Sequence, residues 1–325
     1  MEKKIVKNEK RLTFGPVPSR RLGRSLGINN IPPKNCTYAC VYCQLGKFHR
    51  MQRDRTTFYS PQEIVHAVKK TITETRNRQE IIDYLAFVPD GEPSLDINIG
   101  REIANCNGFG VKIAVITNAS LLWRKDVRRE LGKSDYVSLK IDTVHKETWH
   151  RINRPQKSLD LDEILQGITT FSKEFSGKLV TETMLIQTMN DTPEELNDIA
   201  GFIKGLNPDI SYLAIPIRPP AETWVHPADE KSITMAYQIF KKKSLDVQYL
   251  IGYEGTDFAS TGNPKEDILA ITSVHPMRRD AIMEVLKKAH KNWEVMNQLL
   301  IEEKIIEIDY DGKTFYMRKL PTEKK

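Results

Sequence analysis

Short apolar runs separated by longer amphipathic stretches divide the first two thirds of the chain. Runs at residues 25–28, 84–88, 111–116, 136–141, 179–187 and 210–217 have the length and side-chain content of strands buried on both faces. Between them, Ser60-Pro61-Gln62-Glu63 carries a serine cap, a proline at the first helical position and a glutamate three residues after the cap, which starts a helix. Ile64, Val65, Val68 and Ile72 then recur at helical spacing, and Thr192-Pro193-Glu194-Glu195 repeats the cap ahead of a helix over 192–206. Residues 161–175 form a further helix by the same spacing. Six such strand and helix units lie between about residues 24 and 220, and a run at 247–252, closing in Tyr253-Glu254-Gly255, extends the sheet. Upstream, Gly15-Pro16-Val17-Pro18 and the following glycines predict loop with one short strand at 25–28.

The strands run out into polar residues: Pro89-Asp90-Gly91-Glu92-Pro93, Thr117-Asn118-Ala119-Ser120, Lys140-Ile141-Asp142 and Arg218-Pro219-Pro220. Alternation of strand and helix builds a parallel sheet with helical crossovers, and in barrels of this kind the chemistry sits at the carboxyl ends of the strands. After residue 262 the pattern changes. Residues 268–271, 279–289 and 293–303 have helical spacing, and 304–319 read as two alternating strands about an Asp311-Gly312 turn. Three helices and a hairpin resemble a winged-helix domain. The segment is nearly neutral, with Glu294, Glu302 and Glu303 on the third helix, so protein contact or a lid over the substrate is expected ahead of duplex DNA binding.

Length and charge refine this picture. The 325 residues suit about two domains, with 39% hydrophobic and 28% charged residues, as in an ordinary globular protein. Residues 1–11 contain no apolar core of a leader, and no apolar run reaches membrane-spanning length, so a cytoplasmic protein without a membrane partner is expected. Up to Arg55 the chain carries thirteen Lys and Arg against three Asp and Glu. Arg20, Arg21, Arg24, Lys34, Lys47, Arg50, Arg53 and Arg55 are the flanking cations, suited to an anionic substrate or an acidic electron donor such as flavodoxin or ferredoxin.

These cations surround three cysteines, Cys36, Cys40 and Cys43, in Asn35-Cys36-Thr37-Tyr38-Ala39-Cys40-Val41-Tyr42-Cys43-Gln44. Three thiols in eight residues cannot pair off, and Cys106 lies far along the chain. With His49 they could hold a structural zinc, although zinc ligands usually come in two separated pairs. Thiolates are also the ligands of iron-sulfur clusters, and three of them leave one iron of a four-iron core open. The spacing, with an aromatic before the last cysteine, resembles the radical S-adenosylmethionine (SAM) enzymes over residues 24–220.

That resemblance implies an α/β fold, a partial (β/α)6 barrel of TIM type open on one side. With the charge and spacing read above, the chain divides into a basic N-terminal extension (1–23), the barrel (24–255) and the winged-helix-like unit (263–320). The resemblance also implies a [4Fe-4S] cluster on Cys36, Cys40 and Cys43 whose fourth iron takes the amino and carboxylate groups of SAM, and a 5′-deoxyadenosyl radical that takes hydrogen from the substrate. Asp90-Gly91-Glu92-Pro93 matches the family's Gly-Gly-Glu-Pro, with Asp90 replacing the first glycine; Gly91, Glu92 and Pro93 would receive the methionine amino end. By the same likeness Thr117 and Asn118 contact SAM, Lys140 meets the methionine carboxylate, Asp142 the ribose hydroxyls, and Tyr42 packs near the adenine; Thr117 or Asn118 could instead cap a helix, and Lys140 and Asp142 could pair with each other. The Pro-Ser-Arg-Arg-Leu-Gly opening, Leu139-Lys140-Ile141-Asp142 and Arg151-Ile152-Asn153-Arg154-Pro155 resemble the group that includes wyosine-type tRNA-modifying synthases. Those synthases carry further N-terminal cysteines for a second cluster, which Cys106 alone cannot supply. The expected activity is hydrogen abstraction from an anionic substrate, with an RNA base preferred; activation of a partner protein and a zinc-bearing winged-helix regulator are the alternatives.

Overall fold

The computed structural model describes residues 12–47, 51–251, 263–274, 276–310 and 312–319. The segment before Leu12, His49, Arg50, the run Gly252 to Gly255 and Asp311 of the hairpin turn lie outside the described residues.

The sheet begins with β1 (Thr13–Ser19) and β2 (Gly23–Ile28), which are antiparallel. Helix α1 (Pro61–Asn77) leads to β3 (Tyr84–Phe87), α2 (Ile99–Cys106) to β4 (Lys112–Thr117), and α3 (Lys125–Leu131) to β5 (Tyr136–Lys140). Helices α4 (Lys146–Ile152) and α5 (Leu161–Glu174) precede β6 (Lys178–Met184). Helix α6 (Pro193–Leu206) precedes β7 (Ile210–Ala214), and α7 (Glu230–Lys242) precedes β8 (Val247–Leu250). The eight strands lie side by side in chain order. From β2 to β8 every pairing is parallel. This is the expected α/β partial barrel, a curled sheet whose edges are β1 and β8.

Period-two alternation decides which side chains fill which layer. Leu85, Phe87, Ile113, Val115, Val137 and Leu139 point to the helices and make the main core. Tyr84, Ala86, Val88, Ala114, Ile116 and Met184 point to the concave face. Alanines at the middle of that face leave room that larger residues would fill. The helix starts follow their caps: Ser60 Oγ accepts from Glu63 N at 3.2 Å while Glu63 Oε2 accepts from Ser60 N at 3.0 Å, and Thr192 caps α6.

Strand β1 departs from the loop expected over this stretch. Its prolines lack a ladder donor, but an edge strand facing no further neighbour tolerates them, and a register irregularity between Phe14 and Val17 absorbs the Gly15-Pro16 pair. Strands β6 and β7 are shorter than expected, because the chain turns at Leu185 and Ile215 to reach the rim.

The tail contains α8 (Pro264–Val274), β9 (Met277–Arg278), α9 (Arg279–Lys288), α10 (Glu294–Ile301), β10 (Ile305–Tyr310) and β11 (Lys313–Arg318). The three strands form an antiparallel sheet in the order β10, β11, β9. The core of this unit, with Ile268, Ile282, Met296 and Tyr316, also takes in Phe14 and Val17 of β1. Tyr310 OH donates to Pro216 O at 3.0 Å. The tail is therefore packed against the barrel both at β1 and beyond the end of β7.

One close approach sets the rim. Lys34 N donates to Asp90 O at 2.7 Å and Glu92 N to Asn35 O at 3.0 Å, which zips the loop after β3 to the segment entering the cysteines. A Cβ at position 91 would stand 1.9 Å from Asn35 O, so the zipper requires glycine there. Gly91→Ala is expected to destabilise the fold by about 2 kcal/mol or more, measured by urea unfolding; a variant as stable as the wild type would contradict this reading of the contact.

Candidate active site

The cysteine loop is held from three sides. Ala39 N and Val41 N donate to Asn153 O and Ile152 O at 3.0 and 2.9 Å, tying it to the end of α4, and Gln52 N donates to Cys36 O at 3.1 Å. Glu222 N, from the segment after β7, donates to Val41 O at 3.1 Å, and the Glu222 carboxylate pairs with Lys47 and Arg154 at 2.9 and 2.6 Å. Within the loop, Cys43 N donates to Cys40 O at 3.1 Å, so the last two cysteines sit on one turn.

All three cysteines line a pocket that opens to solvent, and its wall includes every expected SAM contact except Pro93. Pro93 instead opens a short helical turn, and its carbonyl accepts from Asn30 Nδ2 at 3.1 Å. Burial raises each thiol's pKa, Cys36 well above the ordinary value, Cys40 to about 11 and Cys43 to about 12; the charge of Cys40 adds to this at Cys36 and Cys43, and that of Asp142 at Cys40. Such thiols become thiolates only when a positively charged centre takes them. Asn118 Nδ2 and Asn153 Nδ2 stand 3.5 Å from the sulfurs of Cys36 and Cys40, the kind of donor that tunes cluster sulfur.

A three-thiol donor set with amide support fits an iron-sulfur core. Among the described residues no three His, Cys, Asp or Glu side chains converge to hold a single metal ion. A four-iron core meets its ligands at separate corners instead. The fourth cysteine, Cys106, is fully buried in the main core.

Glu92 has a fully buried carboxylate. It accepts from Thr117 Oγ1 at 2.7 Å, Asn118 N at 2.8 Å and Ser94 N at 3.0 Å. Burial raises its pKa and these donors pull it back, leaving it above the ordinary value. Asn118 Nδ2 also donates to Thr37 Oγ1 at 2.8 Å, so Glu92, Thr117 and Asn118 act together to join the ends of β3 and β4 to the cysteine loop.

Asp142 accepts from the Tyr42 hydroxyl, from Asn153 Nδ2 at 2.8 Å and from Met184 N at 2.9 Å. Lys140 is not paired with it. Lys140 Nζ bonds Glu182 at 2.7 Å and lies 4.9 Å from the centre of the Tyr42 ring, and Glu182 also pairs with Arg21. The residues that sequence reasoning passed over are Asn153 and Glu182. Asn153 lay in a quoted motif without a role, and Glu182 is the one charge within β6 beyond its first residue, directly across the ladder from Lys140.

Beside the first pocket is a second, also open to solvent, on the concave face of the sheet. The two share Tyr42, Cys43, Thr117 and Lys140. The second is lined by Arg20, Arg21, Lys140 and Arg218 against Asp90 and Glu182. Much of the basic excess around the cysteines is, however, used internally. Arg55 is almost fully buried against Asp126 and Glu130, and Arg24 and Lys47 pair with Glu80 and Glu222. The pocket-wall cations are engaged as well, Lys140 and Arg21 with Glu182 and Arg218 Nη1 with Gln44 Oε1 at 2.9 Å, so what the wall offers an anion is a net positive charge.

Burial acts to raise the Glu182 pKa, but Lys140 and Arg21 outweigh it and hold the group at about 2, against an ordinary 4.5. A carboxylate with a depressed folded value stabilises the fold above its unfolded value and loses that contribution as pH falls toward the folded one. Wild-type stability should therefore drop between about pH 5 and 2 through this group, and Glu182→Gln should remove that part of the slope while costing about 3 kcal/mol at neutral pH. Urea unfolding of both chains across that range checks it; equal slopes would exclude the pairing.

The model of the radical SAM superfamily matches residues 30–203. A UPF0026 protein of Methanocaldococcus jannaschii is 46% identical over 316 residues, 97% of this chain and 98% of that one. The ribosomal RNA large subunit methyltransferase N of Nitrosopumilus maritimus is 22% identical over 72% of this chain and 66% of its own length. Among solved structures, a radical SAM methyltransferase from Sphaerobacter thermophilus superposes with a TM-score of 0.55 over 70% of this chain and 66% of that chain, at 14% identity, a likeness of fold. The family uses a [4Fe-4S] cluster and SAM. With three thiols on a pocket at the carboxyl ends of a partial barrel, the chain belongs to the radical SAM superfamily.

Proposed function

We propose that Cys36, Cys40 and Cys43 hold the [4Fe-4S] cluster, that SAM occupies the first pocket, and that the second receives an anionic substrate, a nucleobase of RNA being the preferred class. When bound, the cluster and SAM together supply a one-electron cleavage of the sulfonium that yields a carbon radical able to remove a hydrogen atom. The chain's own part is placement and exclusion. Lys140, steadied by Glu182, offers its ammonium to the methionine carboxylate; Asp142, fixed by Asn153 and the Met184 amide, offers acceptors to the ribose. The apolar wall formed by Ile116, Ile141 and Leu161 keeps water from the reacting atoms.

The observation that carries the substrate assignment is the shared wall. Residues that touch the first pocket, Tyr42, Cys43, Thr117 and Lys140, also border the second, so a molecule in one lies beside a molecule in the other. Arg21 and Lys140 share Glu182 between them, and Arg20 and Arg218 add to the positive charge of the second wall, which favours an anion. The relative from Nitrosopumilus maritimus, named for action on ribosomal RNA, supports the nucleic-acid class. An acidic electron donor such as flavodoxin or ferredoxin would approach the cysteine loop beside Lys34. No helix among the described residues is long and apolar enough to cross a membrane.

The test is anaerobic reconstitution with iron and sulfide, reduction, and addition of SAM. The wild type is expected to form 5′-deoxyadenosine and a chain with all three cysteines changed to alanine to form none. Equal output from the two chains would overturn the assignment.

A further inference from the structure

Asp90 stands where the related motif has a glycine, and its backbone accounts for the zipper to Lys34 without any need for a carboxyl side chain. That side chain is 2% exposed, its Oδ1 has no hydrogen-bond partner, and it lines the second pocket but not the first. Burial pushes its pKa to about 8, and the charge of Arg318 on β11 lowers it only in part, without an ion pair forming. A buried acceptor left without a donor costs roughly 1–3 kcal/mol; among the described residues several such acceptors occur, and that of Asp90 is the one lining either of the two pockets.

The surroundings say what donor would satisfy it. The same pocket offers an apolar wall from Phe14, Val88, Ile116 and Met184 and a side where Arg20, Arg21 and Arg218 outnumber Glu182. A ligand matching all three features has a flat apolar body, an anionic group and an N–H. A nucleotide has that combination, and enzymes that work on a base read it by stacking on apolar side chains and by hydrogen bonds to its edge.

We infer that Asp90 is the residue by which the second pocket selects its substrate, accepting a hydrogen bond from an N–H of a nucleobase whose phosphate faces the cationic side. The inference rests on the nucleic-acid reading above and deepens it. The tail shares in the site: its core includes Phe14 with Val88 packed against it, Arg318 acts on Asp90, and Tyr310 fixes Pro216, another residue of the wall. A site built to accept an N–H discriminates strongly against molecules lacking one.

The experiment measures binding of the four nucleoside 5′-monophosphates, and of ribose 5-phosphate as the anion without a base. It uses both the chain as purified and the chain reconstituted with iron, sulfide and SAM. At least one nucleotide is expected to bind about tenfold or more tighter than ribose 5-phosphate. Asp90→Ala should erase that ratio and Asp90→Asn, which keeps an acceptor, should restore part of it. The inference is overturned if no nucleotide exceeds ribose 5-phosphate, if Asp90→Ala keeps the preference, or if Asp90→Ala weakens SAM binding as much as nucleotide binding, which would move Asp90 to the first pocket. Absence of a cluster in the reconstituted wild type would instead fail the earlier reading, and the nucleotide ratio on the purified chain would still judge this one.

Discussion

The site depends on one buried carboxylate. Glu92 sits in the loop after β3, with no exposure to solvent, and such a group is tolerable inside a protein only when donors replace the water it has lost. Thr117 Oγ1, Asn118 N and Ser94 N do so. Through them the ends of two neighbouring strands are fixed to each other, and the Asn118 side chain carries the constraint on to Thr37 and the sulfur of Cys36. The close passage of Gly91 beneath Asn35 completes the same joint from the backbone side. The expected role of this motif was contact with SAM; its first physical task is to make a rigid rim from loops that would otherwise move independently.

A rigid rim allows two pockets to share one wall. Lys140 and Tyr42 stand on that wall, each held from behind, by Glu182 and by Asp142 with Asn153. Those supporting contacts orient groups that the bound molecules would meet. The tail belongs to this arrangement as well. By packing on β1 and reaching Pro216, it backs the concave side of the sheet, where a nearly neutral unit is better suited to closing a pocket than to gripping a phosphate backbone.

The sequence shows the barrel clearly because each strand is a local apolar run and each helix start carries its cap. The cysteine spacing and the polar strand ends are local signals too. What stayed hidden depends on partners distant in the chain. Arg55 reads as a surface cation until Asp126 and Glu130, more than seventy positions away, are seen to enclose it, and Arg21 likewise until Glu182 is placed. Strand β1 was masked by its own prolines, which are breakers in a central strand and acceptable at an edge. Asn153 and Asp90 lay in or beside recognisable motifs, but a motif does not reveal which way a side chain faces.

A four-iron core held by three thiols would leave its remaining iron open to SAM. Mössbauer spectroscopy of the chain reconstituted with iron-57, before and after SAM is added, distinguishes that iron from the others. One iron of four should change its environment on addition of SAM while the other three hold theirs. Four irons that respond alike, or a spectrum without a four-iron core, would contradict that arrangement.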